Sequence, residues 1–260
     1  MKETDEEEVE FEEPAPEDFL FDEEETVDEK DKKRRKTVLF RVIGLIVAVV
    51  LILQVGNIWF NILSEESREL TETSEELSQQ EDVSIYKEAV VAIQGNGGRG
   101  TGFSISDNGY ILTNHHVVSQ RQPLTVSFPN GDYFTAEIVE SMEEPDLALL
   151  KVDGEDLPFL TLRSSDAKEN EDIYVIGNPR LQTQIVNEGQ ILNNENPFQR
   201  MRISNKILPG HSGSPVIAQN GEVVGVVYAR SLGTEEGYGL AIPVGQVYDY
   251  FPSLQELLDE

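Results

Sequence analysis

No cysteine occurs anywhere in the chain, which removes disulfides, thiolate metal sites and cysteine nucleophiles from consideration. Histidine is nearly as scarce, limited to His115, His116 and His211. The first two are adjacent, so in an extended segment their side chains diverge, and no H-E-x-x-H is present; neither a metal nor an organic cofactor is expected. Positive charge is also short. The chain has 20 Lys and Arg against 49 Asp and Glu, a formal charge of −29, which argues against nucleic acid as a partner because phosphate would be repelled. The aromatic set includes a single Trp, and runs of helical periodicity are rare beyond residue 84.

The charge that is present is unevenly placed. Residues 1–29 hold 16 acids and one Lys with few large apolar residues, so they cannot bury enough surface to offset the entropy of ordering; a disordered tail is expected. "KDKKRRK" (Lys30 to Lys36) reverses the sign, and "TVLFRVIGLIVAVVLILQVGNIWF" (Thr37 to Phe60) follows directly. As a helix, Val38 to Trp59 would be roughly 33 Å long, enough to cross a hydrocarbon core of about 30 Å. Arg41 lies near one end, where it can snorkel, and Trp59 suits the other interface. A cleaved signal peptide needs a shorter apolar core and small residues at its exit, whereas this run leaves through "GNIWFNILSEE". The expectation is an uncleaved anchor over 37–60 in contact with lipid. The basic cluster keeps 1–36 in the cytoplasm and puts the rest on the outer, extracellular or periplasmic, side.

Residues 61–83 are polar and acidic and read as a stalk, partly helical, that lifts the next domain off the membrane. From Ser84 short apolar runs alternate with Gly, Asn, Asp and Pro, as in "AVVAIQ", "GYILTN", "LALLKV", "IYVIG" and "GEVVGVVY". Many short strands with frequent turn signals predict an all-β barrel or sandwich. "SDNGY" (Ser106 to Tyr110) and "PNGDY" (Pro129 to Tyr133) predict hairpin turns. Helical periodicity returns at Val244 to Leu258, interrupted by Pro252. "GNGGRG" (Gly95 to Gly100) matches G-x-G-x-x-G, but a dinucleotide site needs a helix immediately afterwards, and "TGFSISDNGYILTN" reads as a hairpin; a glycine-rich turn is expected there.

The chemistry narrows to serine. A serine hydroxyl attacks only when an imidazole takes its proton, and the imidazole needs a carboxylate to hold its tautomer. The candidates fall in the order His115 or His116, then Asp146, then Ser212. An α/β-hydrolase requires a histidine after the nucleophile and a G-x-S-x-G elbow, but no His follows His211 and position 214 is Ser. His, Asp, Ser in that order on a β-rich chain is the order of a chymotrypsin-like double barrel.

Several separated motifs carry a family resemblance over about residues 84–250. "TNHHVV" (Thr113 to Val118) resembles T-N-x-H-V-[VI], "PDLALLKV" (Pro145 to Val152) resembles D-[LI]-A-[VL]-L-[KR]-V, and "PGHSGSPV" (Pro209 to Val216) resembles P-G-N-S-G-G-P-[LV]. "GTGFSIS", "IGNP" and "GLAIPV" fit strands of the same pattern. The chain resembles the HtrA/Deg-type trypsin-like serine proteases. The resemblance implies two six-stranded chymotrypsin-like barrels, the first over 84–155 and the second, with a short C-terminal helix, over 156–260. It implies His116, rather than His115, as the base, Asp146 as its orienting carboxylate and Ser212 as the nucleophile. The backbone N–H groups of Gly210 and Ser212 would form the oxyanion hole. It implies an endopeptidase acting on exposed or misfolded polypeptides outside the membrane, with a catalytically latent or inactive peptide-binding or stress-sensing module as the alternative. Self-assembly into a homo-oligomer is left open.

The departures from the pattern are His211 for Asn, Ser214 for Gly, and "MRISNKILPG" before the nucleophile. Lys206 and Tyr238 are candidates for the specificity pocket, and Lys206 there would favour acidic side chains. His211 would either bend the oxyanion loop, make it pH-sensitive, or point away and be tolerated; the last is expected. Too few residues follow "DYF" (Asp249 to Phe251) for a PDZ domain of the kind many relatives carry.

Overall fold

The structure, a computed structural model, describes residues 27–62, 65–179, 182–192, 200–231 and 237–259. The acidic tail before residue 27 lies outside the described residues. Contacts divide the chain into Met1–Asn61 and Ile62–Glu260. In the first unit α1 (Val27–Ile62) is one continuous helix, longer at both ends than the apolar run. Lys32–Ile58 is long and apolar enough to cross a membrane, and its window has no buried side chain. Apolar residues lie on every face.

In the second unit, α2 (Glu65–Leu77) and α3 (Glu81–Glu88) lead into the strands. The segment expected to be a stalk is therefore helical and packed against the domain. Leu70, Ser74 and Leu77 lie on one helical face and are buried, as is Val83 of α3. The strands follow as β1 (Val90–Gly95), β2 (Gly98–Ser104) and β3 (Tyr110–Thr113), the short helix α4 (His115–Val118), β4 (Leu124–Ser127), β5 (Tyr133–Met142) and β6 (Leu147–Val152). They close into a six-stranded barrel in the order β1-β2-β3-β6-β5-β4. The glycine-rich stretch is the β1–β2 hairpin, with Gly95 opposite Gly98 and Gly97 at φ +80°. Gly109 (φ +100°) and Gly131 (φ +98°) turn at the two expected Asn-Gly sites.

The remaining strands are β7 (Asp172–Gly177), β8 (Ile185–Gln190), β9 (Met201–Ile203), β10 (Pro215–Ala218), β11 (Val223–Ser231) and β12 (Tyr238–Pro243). They form a six-stranded sheet in the order β8-β7-β10-β11-β12-β9, and a bridge between Ile191 and Ile203 links its two ends. The chain finishes in α5 (Val244–Tyr250) and α6 (Leu254–Asp259), separated at Pro252. The fold is all-β with two six-stranded barrel-like sheets, as the sequence implied. One core fills the first barrel around Val91, Ile111, Val126 and Leu150. A second fills the other sheet around Ile173, Ile203, Val216 and Val227. A third joins the two through Phe103, Leu149, Ile176 and Val226. Loops from both sheets meet beside this junction.

Candidate active site

The first barrel supplies the histidine and the carboxylate. β3 ends at Thr113, and α4 begins with His115 and His116, so the two imidazoles leave a tight helical turn in different directions. His115 Nδ1 is 2.8 Å from Ser141 Oγ on β5. His116 Nδ1 is 2.7 Å from Asp146 Oδ2, and the His116 backbone N–H donates to Asp146 Oδ1 at 3.0 Å. Asp146 thus grips the ring and the backbone of one residue, which fixes the imidazole orientation. With Nδ1–H donated, Nε2 is the unprotonated nitrogen of the neutral ring. His116 is 46 % exposed and Asp146 20 %, so Nε2 can be reached from solvent while the pair is partly shielded.

Asp146 holds this position with a left-handed backbone, φ +78°, a conformation that Asp tolerates better than most residues but that still costs of order 1 kcal/mol or more. The fully buried Asn114 secures the strain by donating Nδ2–H to Asp146 O at 2.9 Å. Tyr228 of β11 lies on the Asp146 side of the site. Burial raises its phenol above the usual value, Arg200 opposes that by charge and hydrogen bonding, and Asp146 adds to the rise. Arg200 stacks over the Tyr228 ring at 5.0 Å and donates to Gln246 Oε1 at 3.0 Å.

The second sheet supplies the Ser212 loop, two consecutive turns just before β10. In Leu208–His211, the His211 N–H donates to Leu208 O at 3.0 Å, with Pro209 second and Gly210 (φ +105°) third. In His211–Ser214, the Ser214 N–H donates to His211 O at 2.9 Å, with Ser212 second and Gly213 (φ +83°) third. A positive-φ glycine at the third position is the pattern of a type II turn. "GHSGSP" is therefore a pair of turns with Ser212 at a corner, partly exposed. Gly213 has no alternative: a Cβ there would lie 2.0 Å from Thr101 O and 2.4 Å from Thr113 Oγ1. Among the described residues, neither the Gly210 N–H nor the Ser212 N–H donates to a protein acceptor.

Thr101 of β2 binds the loop to the first barrel. Its N–H donates to Ser212 O at 3.0 Å and its Oγ1 donates to Gly210 O at 2.7 Å. Oγ1 also accepts from the Asn178 N–H at 2.9 Å, and Thr101 O accepts from Thr113 Oγ1 at 2.7 Å. Asn178 Nδ2 in turn donates to Val91 O at 3.0 Å. On the other side, Leu208 packs with Ile185 of β8 and Leu70 of α2.

The structure brings His116 and Asp146 into direct contact, and Thr101 ties the barrel that carries them to the Ser212 loop. Among the described residues no hydrogen bond joins Ser212 Oγ to His116. Lys206 is half-buried and already holds an interaction within the protein. The Tyr238 ring lies under the Arg202 guanidinium at 4.1 Å. Beside them the wall is aliphatic: a Cβ on Gly239 would meet Ile203 and Ile207 at 2.6 and 2.7 Å. His211, expected to point away, is fully buried. Thr101, Asn114, Asn178 and Tyr228 had no part in the reading of the sequence, although Thr101 and Asn178 sit inside the quoted "GTGFSIS" and "IGNP". Among the described residues no group of three or more His, Asp or Glu could hold a metal ion.

Residues 100–226, from β2 into β11, match the model of the trypsin-like peptidase domain. A probable periplasmic serine endoprotease, DegP-like, from Hahella chejuensis is 38 % identical over 167 residues, 60 % of this chain and 35 % of the relative. The corresponding protein of Chlamydia trachomatis is 39 % identical over 158 residues, 56 % of this chain and 31 % of the relative. The chain spans about a third of the length of these curated relatives. Among solved structures, a serine endoprotease from Yersinia pestis is similar with a TM-score of 0.62 at 29 % identity, covering 69 % of this chain and 66 % of that one. An inactive form of Rv3671c from M. tuberculosis is similar with a TM-score of 0.61 at 25 % identity, covering 69 % and 93 %. With the two six-stranded sheets and the separated sequence motifs, residues 100–226 are similar to a trypsin-like peptidase domain, and the chain is similar to DegP-like serine endoproteases.

Proposed function

We propose that the protein is a membrane-anchored serine endopeptidase that cleaves exposed or misfolded polypeptides outside the cytoplasmic membrane, through His116, Asp146 and Ser212. The carrying observation is the two-point grip of Asp146 on His116, at 2.7 and 3.0 Å, which leaves Nε2 open as a base. Ser212 Oγ attacks the peptide carbonyl carbon as its proton passes to His116 Nε2. The charge that develops on the carbonyl oxygen meets the N–H groups of Gly210 and Ser212. The C–N bond then breaks, His116 returns the proton to the leaving amine, and the Ser212 ester remains. Water attacks that ester with His116 taking its proton, and collapse of the second tetrahedral intermediate returns the proton to Ser212 Oγ. Asp146 holds the ring tautomer and stabilises the imidazolium at both stages.

The apolar run of α1 supports a lipid anchor, and the basic cluster before it supports an outward-facing peptidase domain, in keeping with the name "periplasmic" borne by the DegP-like relatives. A specificity pocket walled by Ile203 and Ile207 beside Lys206 and Tyr238 would take the side chain before the cleaved bond. A second reading, a latent module that binds polypeptide without turnover, draws on the absence of a Ser212–His116 hydrogen bond among the described residues. Catalytic hydrogen bonds are often long in free enzymes and tighten on substrate, so that absence does not displace the first reading. The test uses the full chain in detergent, wild type against Ser212→Ala, with a serine-directed phosphonate and a labelled unfolded polypeptide. Labelling and cleavage that vanish in the variant support the endopeptidase. A folded wild type that does neither supports the latent module.

A further inference from the structure

The two residues of the nucleophile loop that depart from the family pattern are both fully buried, and they occupy one space. His211 and Ser214 are each 0 % exposed. A Cβ on Gly177, at the end of β7, would lie 2.2 Å from Ser214 Oγ and 2.7 Å from His211 Cδ2. Both side chains therefore rest on the bare backbone of Gly177, in room that no other residue type at 177 would leave.

His211 holds Leu208 twice. The Leu208 N–H donates to His211 Nδ1 at 2.9 Å, and the His211 N–H donates to Leu208 O at 3.0 Å. A ring nitrogen that accepts carries no proton, so the neutral imidazole bears its hydrogen on Nε2. The side-chain bond and the main-chain bond span the same turn and enclose Pro209 and Gly210 between them. Within that enclosure Gly210 takes φ +105°, and its carbonyl is pinned from outside by Thr101 Oγ1 at 2.7 Å. The Gly210 N–H is left as the free end of an otherwise fixed turn. Asparagine at 211 would offer Oδ1 as an acceptor the same number of bonds from Cα as Nδ1, so the histidine can make the same clamp with a larger body.

We propose that His211 is the positioning residue of the oxyanion loop: its imidazole, seated on Gly177 beside Ser214 and accepting from Leu208, holds the Gly210 N–H where a tetrahedral oxyanion needs it. The inference rests on the reading of Ser212 as nucleophile, but the clamp itself does not require turnover. A group that acts on the oxyanion donor alters the transition state more than substrate binding.

The test compares full-chain wild type, H211N and H211L in detergent, using a quenched-fluorescent peptide that the wild type cleaves, the phosphonate, and hydrogen exchange at the Leu208 amide. In H211L, kcat and the phosphonate labelling rate fall together by ~10–100-fold while KM stays within about twofold, less than the loss from deleting a whole donor because the N–H remains present but misdirected. H211N restores most of kcat. Leu208 exchanges at least about tenfold faster in H211L, with core amides such as Val226 unchanged. A folded H211L with wild-type kcat, or an H211N as impaired as H211L, overturns the proposal. Should H211L fail to fold, H211N and G177A decide: G177A must depress labelling and G177A/S214G must recover part of it, and no recovery counts against the shared seat. If the wild type shows no turnover, the endopeptidase reading fails while the clamp is still judged by Leu208 exchange, where equal protection in wild type and H211L refutes it.

Discussion

A buried neutral imidazole makes this domain acid-sensitive in a window above that of Glu171. Complete burial lowers His211 from the ordinary histidine value to about 4. In the unfolded chain the same ring titrates near 6.5. Between these values the unfolded state binds a proton that the folded state refuses, so stability rises with pH across the window and falls as the medium is acidified. The full difference is about 3 kcal/mol, of which roughly a third is lost by pH 5.5 and most by pH 4.5. Glu171, which Arg163 holds below the usual carboxylate value by a paired hydrogen bond, contributes stability that is lost only as pH falls below about 4.5. The two effects are therefore separable on the pH axis. All eight tyrosines lie between Tyr86 and Tyr250, and the only tryptophan is Trp59 in α1, so near-ultraviolet tyrosine dichroism reports the peptidase domain. Urea unfolding of wild type and His211→Asn at pH 7.0, 5.5 and 4.5 gives the comparison. The wild type should lose about 2 kcal/mol more than the variant over that span. Parallel stability curves from pH 7.0 to 4.5 would refute the assignment of a buried neutral ring.

Other perturbations follow from the same contacts. Thr101→Val keeps the shape but leaves Gly210 O and the Asn178 N–H unpaired in a buried place; two such losses come to about 2–5 kcal/mol, read as a lower urea midpoint with slower phosphonate labelling, and an unchanged labelling rate would contradict the proposed support of the loop. Gly213→Ala drives a Cβ to 2.0 Å from Thr101 O at φ +83°, so it should cost more than about 2 kcal/mol and abolish labelling; a folded G213A variant that still labels would contradict the turn geometry. Leu70→Ala removes a buried apolar partner of Leu208; it should cost about 2–3 kcal/mol and lower kcat although residue 70 lies in the segment read from sequence as a stalk, and a thermal midpoint equal to wild type would show that α2 does not dock.

Much of the architecture was legible because local chemistry forced it. Asn-Gly pairs at Asn108 and Asn130 need positive φ at the glycine, and both became hairpin turns. The apolar run of α1 has no polar face, and it forms one continuous helix. His116 and Asp146 were legible as a pair because their motifs are separate in sequence but fixed in order. The docking of α2 was not legible: its buried face is Leu70, Ser74 and Leu77, and a serine between two leucines breaks the apolar stripe by which an amphipathic helix is recognised. Ser74 is there for the backbone, accepting the Val186 N–H at 3.0 Å, a bond that no periodicity announces. The orientation of His211 was equally hidden. A polar residue in a Gly-rich turn is expected to face water, and what draws it inward is the missing side chain of Gly177, more than thirty positions earlier in the chain.

The arrangement around Thr101 bears on how the proposed centre is assembled. The base and its carboxylate belong wholly to the first barrel: Asp146 grips the start of α4, and Asn114 pins Asp146 from behind. The nucleophile and both oxyanion donors belong wholly to the second sheet, where Gly213 and Ser214 are tied to Val227 of β11. Neither half contains a complete active site, so reactivity depends on their relative placement to within a fraction of an ångström. Thr101 is the residue at which that placement is made. Through one backbone N–H, one carbonyl and one hydroxyl it bonds to Ser212, Gly210, Asn178 and Thr113, so a shift of the nucleophile loop against the first barrel must break several bonds together. Its neighbours Gly100 and Gly102 have no side chains, and a Cβ at either would strike Val117 or Ile93 within 2.7 Å, so β2 runs close to α4 and β1 on both sides of the hub. A threonine flanked by two glycines is an unpromising place to look for function in a sequence. Here the glycines permit the close approach, and the threonine between them joins the half that holds His116 to the half that holds Ser212.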